Sequence, residues 1–178
     1  DLMLHNGNAL YKKFDLVLFF APYEIGNLDL KEDRKHPSLN IDWIRESIER
    51  ERARGRDIRK VLLVIDDLIS GIDKDKSNPE LIDLFFNRRK MVQGCEISIL
   101  CTTQKYTMFP AKFRSSLQFI IFFNIPNKDY ETLAEDQLYT NQKAIKQIFK
   151  AHFATYPHNF VYIRLDTAQI FLNFDKQV

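Results

Sequence analysis

Cysteine is scarce in this chain. The two it has, Cys95 and Cys101, form no metal-like pair and are too few for a disulfide framework, so both read as buried thiols in a reducing, intracellular compartment. No stretch approaches the ~20 consecutive apolar residues of a membrane-spanning helix, and the first residues lack the basic-then-apolar layout of a secretory signal. His5, His36, His152 and His158 are scattered without ligand spacing, which leaves a zinc site without support. Gly-x-Ser-x-Gly is missing, so a serine hydrolase has no nucleophile elbow. Internal repeats and low-complexity tracts are missing as well. Nor is there an excess of one charge: 26 Lys and Arg against 24 Asp and Glu neither demand nor exclude a polyanionic partner.

What the chain does contain is an alternation of short apolar runs with helical stretches. This is the pattern of an α/β fold, a mostly parallel twisted sheet flanked by helices, and 178 residues suit one such domain. Strands are expected at 14–21, 61–66, 96–103 and 118–124, with a C-terminal β-hairpin from 159–165 and 169–174. Helices are expected at 41–54, from the Ile41, Ile44, Ile48 stripe, and at 79–92, where Asn78 can cap and Pro79 suits the first turn. Two more fill 127–151, with Asn127 and Thr140 as caps. Residues 22–40 and 70–78 read as loops, and RESIERERARGRDIRK as a solvated helix face with internal ion pairs.

The most apolar segment, VLLVIDDLIS at 61–70, ends in Asp66 and Asp67. A continuous aliphatic run suits a strand covered on both faces, and its carboxylates then emerge at the edge of the sheet where open α/β folds place ligands. In P-loop NTPases a strand of this form presents one acid to Mg²⁺ through water and a second that polarises the attacking water. On this reading Asp66 is the magnesium-side carboxylate and Asp67 the base. The competing reading makes the pair a helix cap or turn. The following strand, EISILCTTQ, ends in Gln104, and one crossover helix bearing Arg88 and Arg89 would bring its tip beside Asp67. An amide there can donate to a phosphate oxygen and accept from water. The plainer alternative is that Gln104 caps the loop after it.

VLLVIDDL, then LFFNRRKMVQGCEISILCTTQKYTMFPAKFRSS, then QFIIFFN resembles the FtsK–HerA superfamily of P-loop ATPases, especially the poxvirus-type genome-packaging ATPases of large DNA viruses. YKKFDLVLFFAP extends the resemblance upstream. It implies a RecA-like core, ATP and Mg²⁺ as cofactors, double-stranded DNA as substrate, a homo-oligomeric ring, and capsid or portal-vertex partners in the host cytoplasm or virion. It also implies an arginine acting on the neighbouring subunit's nucleotide, for which Arg114, Arg88 and Arg89 are candidates. DNA-facing loops would draw on Lys74, Lys76, Lys105 and Lys112, which bind phosphates without reading bases. Tyr106, Phe109 and Phe113 read as packing residues.

One departure is plain. No Gly-Lys-Ser or Gly-Lys-Thr occurs in the sequence, so the loop that cradles phosphates is missing. With an opening Asp1 in place of methionine, the chain is expected to be the middle of a longer protein, its first strand and phosphate loop lying upstream and the fragment alone inactive. Two rivals stay open: a degenerate, non-enzymatic ATPase-like scaffold, and a metal-dependent nuclease using Asp66 and Asp67.

Overall fold

The computed structural model describes residues 13–23, 31–68, 79–138, 142–156, 158–174 and 176–177. Its contacts gather into two compact units, Asp1–Gln104 and Lys105–Val178.

In the first unit β1 (Leu16–Phe20), β2 (Lys35–His36), β3 (Lys60–Asp66) and β4 (Glu96–Thr102) form a parallel sheet in the order β2-β1-β3-β4. The apolar runs expected at 14–21, 61–66 and 96–103 become β1, β3 and β4. Every residue of β1 is buried, as a strand covered on both faces requires. One face carries Val17, Phe19 and Ala21, which cluster with Val64. The other carries Phe20, whose ring meets Trp43 edge to face at 5.5 Å. Trp43 belongs to α1 (Ile41–Ala53), where Ile41, Ile44 and Ile48 are buried at helical spacing.

Local chemistry sets both ends of α1. Asn40 Oδ1 accepts the Trp43 N–H at 3.0 Å and so caps the first turn. At the other end Gly55 N–H reaches Arg52 O at 2.9 Å and Arg56 N–H reaches Glu51 O at 3.2 Å, a Schellman closure with Gly55 at φ +81°. The run of charge around this end is less solvated than its composition suggests. Glu51 is buried, and Arg34, Arg54 and Arg56 all bind its carboxylate. Burial alone would raise its pKa, but the hydrogen bonds from Arg56 and Arg54 and the charge of Arg34 overcome this and hold it below the ordinary value.

Two expectations for this unit need correction. The patternless stretch 22–40 includes a 3₁₀ turn, Glu32–Arg34, and the short strand β2, ordered by pairing with β1. The helix expected over 79–92 is two, α2 (Pro79–Phe86) and α3 (Arg88–Met91), broken at Asn87. There Asn87 leaves helical geometry at φ −118° and ψ 24°, although its N–H still reaches Asp83 O at 2.6 Å and its side chain donates to Asp83 Oδ1 at 2.9 Å. The proposed cap Asn78 lies outside the described residues.

The second unit holds α4 (Ala111–Arg114), β5 (Phe119–Phe122), α5 (Asn127–Gln137), α6 (Gln142–Thr155), β6 (Val161–Arg164), β7 (Gln169–Leu172) and β8 (Lys176–Gln177). Its strands form an antiparallel sheet, β5-β6-β7-β8. The run at 118–124 is therefore a strand, but of this sheet and not of the parallel one. Two helices separate β5 from β6, so the chain re-enters the sheet at the end it left, which gives antiparallel pairing where a single crossover helix would give parallel. One face of the sheet packs on α5 and α6: Phe122, Val161, Ile163 and Ile170 share a core with Leu133, Ala134, Ile145 and Phe149. The expected hairpin is β6 and β7, with Ala168 at φ +51° in its turn. Asn127 does not cap α5; Pro126 holds that place without a side-chain bond. Thr140 falls outside the described residues.

Candidate functional site

Parallel pairing in register carries the tips of β3 and β4 to the same edge of the sheet. Ile65 pairs with Cys101 and Asp66 with Thr102, so the residues just beyond, Asp67 and Gln104, leave the sheet side by side. Gln104 Nε2 donates to Asp67 Oδ2 at 3.1 Å. Asp67 itself sits at φ +54°, a left-handed conformation rare for residues other than glycine and concentrated at functional sites. Its N–H donates to Thr102 Oγ1 at 3.3 Å.

Asp66, one residue earlier, is held on both carboxylate oxygens. Thr102 Oγ1 donates to Oδ1 in a short contact, and Tyr23 Oη donates to Oδ2 at 2.7 Å. The hydrogen bond to Asp66, with the surrounding carboxylate charge, raises the Tyr23 pKa and keeps the phenol protonated. Sequence reasoning missed both hydroxyl residues. Thr102 could have been found from its register opposite Asp66. Tyr23 could have been found from its place just past the end of β1, the neighbour of β3 on the other side.

Tyr23, Asp66, Asp67, Thr102, Thr103 and Gln104 line an open cleft of about 200 Å³. The carboxylates, hydroxyls and side-chain amide offer hard oxygen atoms, the donor chemistry that suits a hydrated magnesium ion. The same residues fit a whole nucleotide less well: the cleft lies below the 300–1,000 Å³ usual for small-molecule sites, and among the described residues its lining includes no Lys or Arg to meet phosphates.

Neither cysteine supplies a nucleophile here. Burial pushes the Cys95 thiol up, and the Cys101 thiol up to about 12.

The arginines fall elsewhere. Arg114 is tied within the second unit: Nη1 pairs with Asp136 at 2.8 Å, Nε donates to Phe109 O at 2.9 Å, and the guanidinium lies over the Tyr106 ring at 4.8 Å. Tyr106 donates to Asp136 as well, and burial pushes its phenol up to about 12. Phe109 and Phe113 are buried. Arg88 is half-buried on α3 and donates to Phe85 O at 3.3 Å; Arg89 follows it on that helix. Lys105 is exposed, and Lys112 lies over the Phe113 ring at 5.0 Å. Lys74 and Lys76 fall outside the described residues.

A family model described as poxvirus A32 protein matches residues 22–171. Among solved structures, the chain resembles the genome packaging NTPase B204 from Sulfolobus turreted icosahedral virus 2 in complex with ATP-gammaS, with a TM-score of 0.59 at 12% identity over 91% of this chain and 82% of that one. It also resembles B204, described as the DNA-packaging ATPase from Sulfolobus turreted icosahedral virus, with a TM-score of 0.60 at 11% identity over 91% of this chain and 83% of that one. A further structure of the NTPase from Sulfolobus turreted icosahedral virus 2, in complex with AMPPCP, gives 0.50 at 14% identity over 97% of this chain and 78% of that one. At these identities the likeness is one of fold: a parallel four-stranded sheet flanked by helices, together with an antiparallel sheet. No curated protein matches the chain.

Proposed function

Since the chain belongs to the poxvirus A32 protein family, we propose that it carries the hydrolytic half of a viral DNA-packaging ATPase, an FtsK–HerA type motor that couples Mg-ATP hydrolysis to movement of double-stranded DNA into a capsid. The observation that carries this reading is the Gln104 amide on Asp67, 3.1 Å apart across two paired strand tips. An acid that must accept a proton from water gains from a neutral partner that fixes its orientation without neutralising its charge.

The residues then divide the work. Asp67 accepts the proton of the attacking water. Gln104 orients Asp67 with its N–H and keeps its carbonyl oxygen to accept from water. Asp66 holds magnesium through bound water, and the ion, when bound, offsets charge that develops on the phosphates. The arginine reaching a neighbouring subunit's nucleotide in a ring is Arg88 or Arg89 in preference to Arg114, whose guanidinium already binds Asp136. Lys105 and Lys112, with Lys74 and Lys76, supply phosphate contacts to DNA that are indifferent to sequence. Capsid or portal-vertex proteins complete the assembly, in the host cytoplasm or the virion.

These 178 residues contain no Gly-Lys-Ser or Gly-Lys-Thr to cradle phosphates. The isolated chain is accordingly expected to bind nucleotide feebly and not to turn over. In the full-length protein, Asp67→Asn is expected to abolish phosphate release while nucleotide binding survives, measured by steady-state assay and by equilibrium binding. Normal turnover by that variant would show that Asp67 is not the base.

A further inference from the structure

Asp66 is gripped from two strands at once. β3 lies between β1 and β4 in the sheet, and each neighbour delivers one hydroxyl: Tyr23, just beyond the end of β1, to Oδ2 at 2.7 Å, and Thr102, the last residue of β4, to Oδ1. Both donors are neutral, so they fix the plane of the carboxylate without cancelling its charge, as an arginine or lysine would. A carboxylate has about four acceptor positions, and two are filled in this way. One remains on each oxygen for a donor arriving from the cleft, which is what a water bound to a cation offers. Thr102 does a second thing with the same oxygen: it accepts the Asp67 N–H at 3.3 Å and so holds the backbone where Asp67 takes φ +54°.

We propose that Tyr23 and Thr102 are positioning residues, a pair of hydroxyls that presets Asp66 for a hydrated divalent cation. The proposal rests on the reading of Asp66 as the metal-side carboxylate. Fixing a ligand before the metal arrives removes a rotamer search from the binding step, and groups of this kind typically alter metal affinity by a factor of ten or more. Tyr23 is 53% exposed, so removing its hydroxyl deletes the hydrogen bond without opening the core.

The test is Mn²⁺ binding to the full-length protein, with free Mn²⁺ counted by electron paramagnetic resonance and no nucleotide present. Tyr23→Phe and Thr102→Val are each expected to weaken binding about tenfold, Thr102→Ser to restore it, and Asp66→Asn to abolish it. In turnover assays Tyr23→Phe and Thr102→Val should raise the Mg²⁺ half-saturation while leaving the KM for nucleotide at saturating Mg²⁺ unchanged, a split that general loss of structure does not give. Thermal midpoints of Tyr23→Phe and Thr102→Ser should match the wild type. Binding by Tyr23→Phe that equals or exceeds the wild type overturns the proposal, since a hydroxyl that competes with the cation gives tighter binding when it is lost. If Asp66→Asn still abolishes Mn²⁺ binding and Asp67→Asn still abolishes turnover, only the hydroxyl pair falls. Wild-type protein that leaves all Mn²⁺ free, or Asp66→Asn that binds as the wild type does, overturns the role of Asp66 and the pair together.

Discussion

Gln104 donates its side-chain amide to Asp67 Oδ2 at 3.1 Å, joining the ends of two strands that are 37 positions apart in the chain. An amide there is chemically distinct from an acid. Gln104→Glu would set a second carboxylate against Asp67 and lose the N–H that orients it, and Gln104→Ala would lose that N–H without adding charge. Each is expected to lower kcat by about a hundredfold in a steady-state phosphate-release assay, the scale typical of a lost orienting group.

Acid stability should depend on Glu51. Its pKa is held down in the folded protein, so the stability it contributes is present above the unfolded value near 4.5 and is lost as pH falls through the lower folded value. Glu51→Gln should lower stability at pH 7 by about 2 to 3 kcal/mol, less than a fully dry pair because Arg54 and Arg56 are themselves exposed. Its stability should also vary less with pH below 4.5 than that of the wild type. Urea midpoints at several pH values check both.

Arg114 and Arg88 should separate stability from turnover. Arg114→Ala removes the ion pair to Asp136, the bond to Phe109 O and the stacking on Tyr106, and is expected to cost about 2 to 3 kcal/mol of stability. Arg88→Ala loses one bond to a backbone carbonyl and should leave the melting midpoint within a degree or two while lowering turnover. Calorimetry with a parallel phosphate-release assay tells them apart. A large melting loss in Arg88→Ala with normal turnover would put Arg114 ahead of Arg88 for that role.

Gly55 offers a backbone test. A Cβ there meets no atom within 4 Å, so any loss in Gly55→Ala comes from φ +81° alone. The expected loss is about 1 kcal/mol, read from the urea midpoint.

The features legible in the sequence were those set by local pattern. LVLFF and KVLLVID read as strands because aliphatic runs of that length fit a position covered on both faces, and α1 read as a helix because Ile41, Ile44 and Ile48 repeat at its period. Asp66 and Asp67 stood out because acids at the end of such a run must leave the core. Two other features gave no comparable signal. The break at Asn87 divides a stretch that reads as one helix, and β2 depends on a partner strand.

Composition and periodicity determined that this protein has an α/β core with an acidic strand tip, because burial acts on each residue through its own side chain and its near neighbours. Only the tertiary structure decided that Phe119–Phe122 joins an antiparallel sheet, that Arg114 is bound to Asp136, and that Tyr23 and Thr102 meet at Asp66. Each of those depends on which strand lies beside which and in what register, and hydrogen bonds between distant residues exist only once that choice is made.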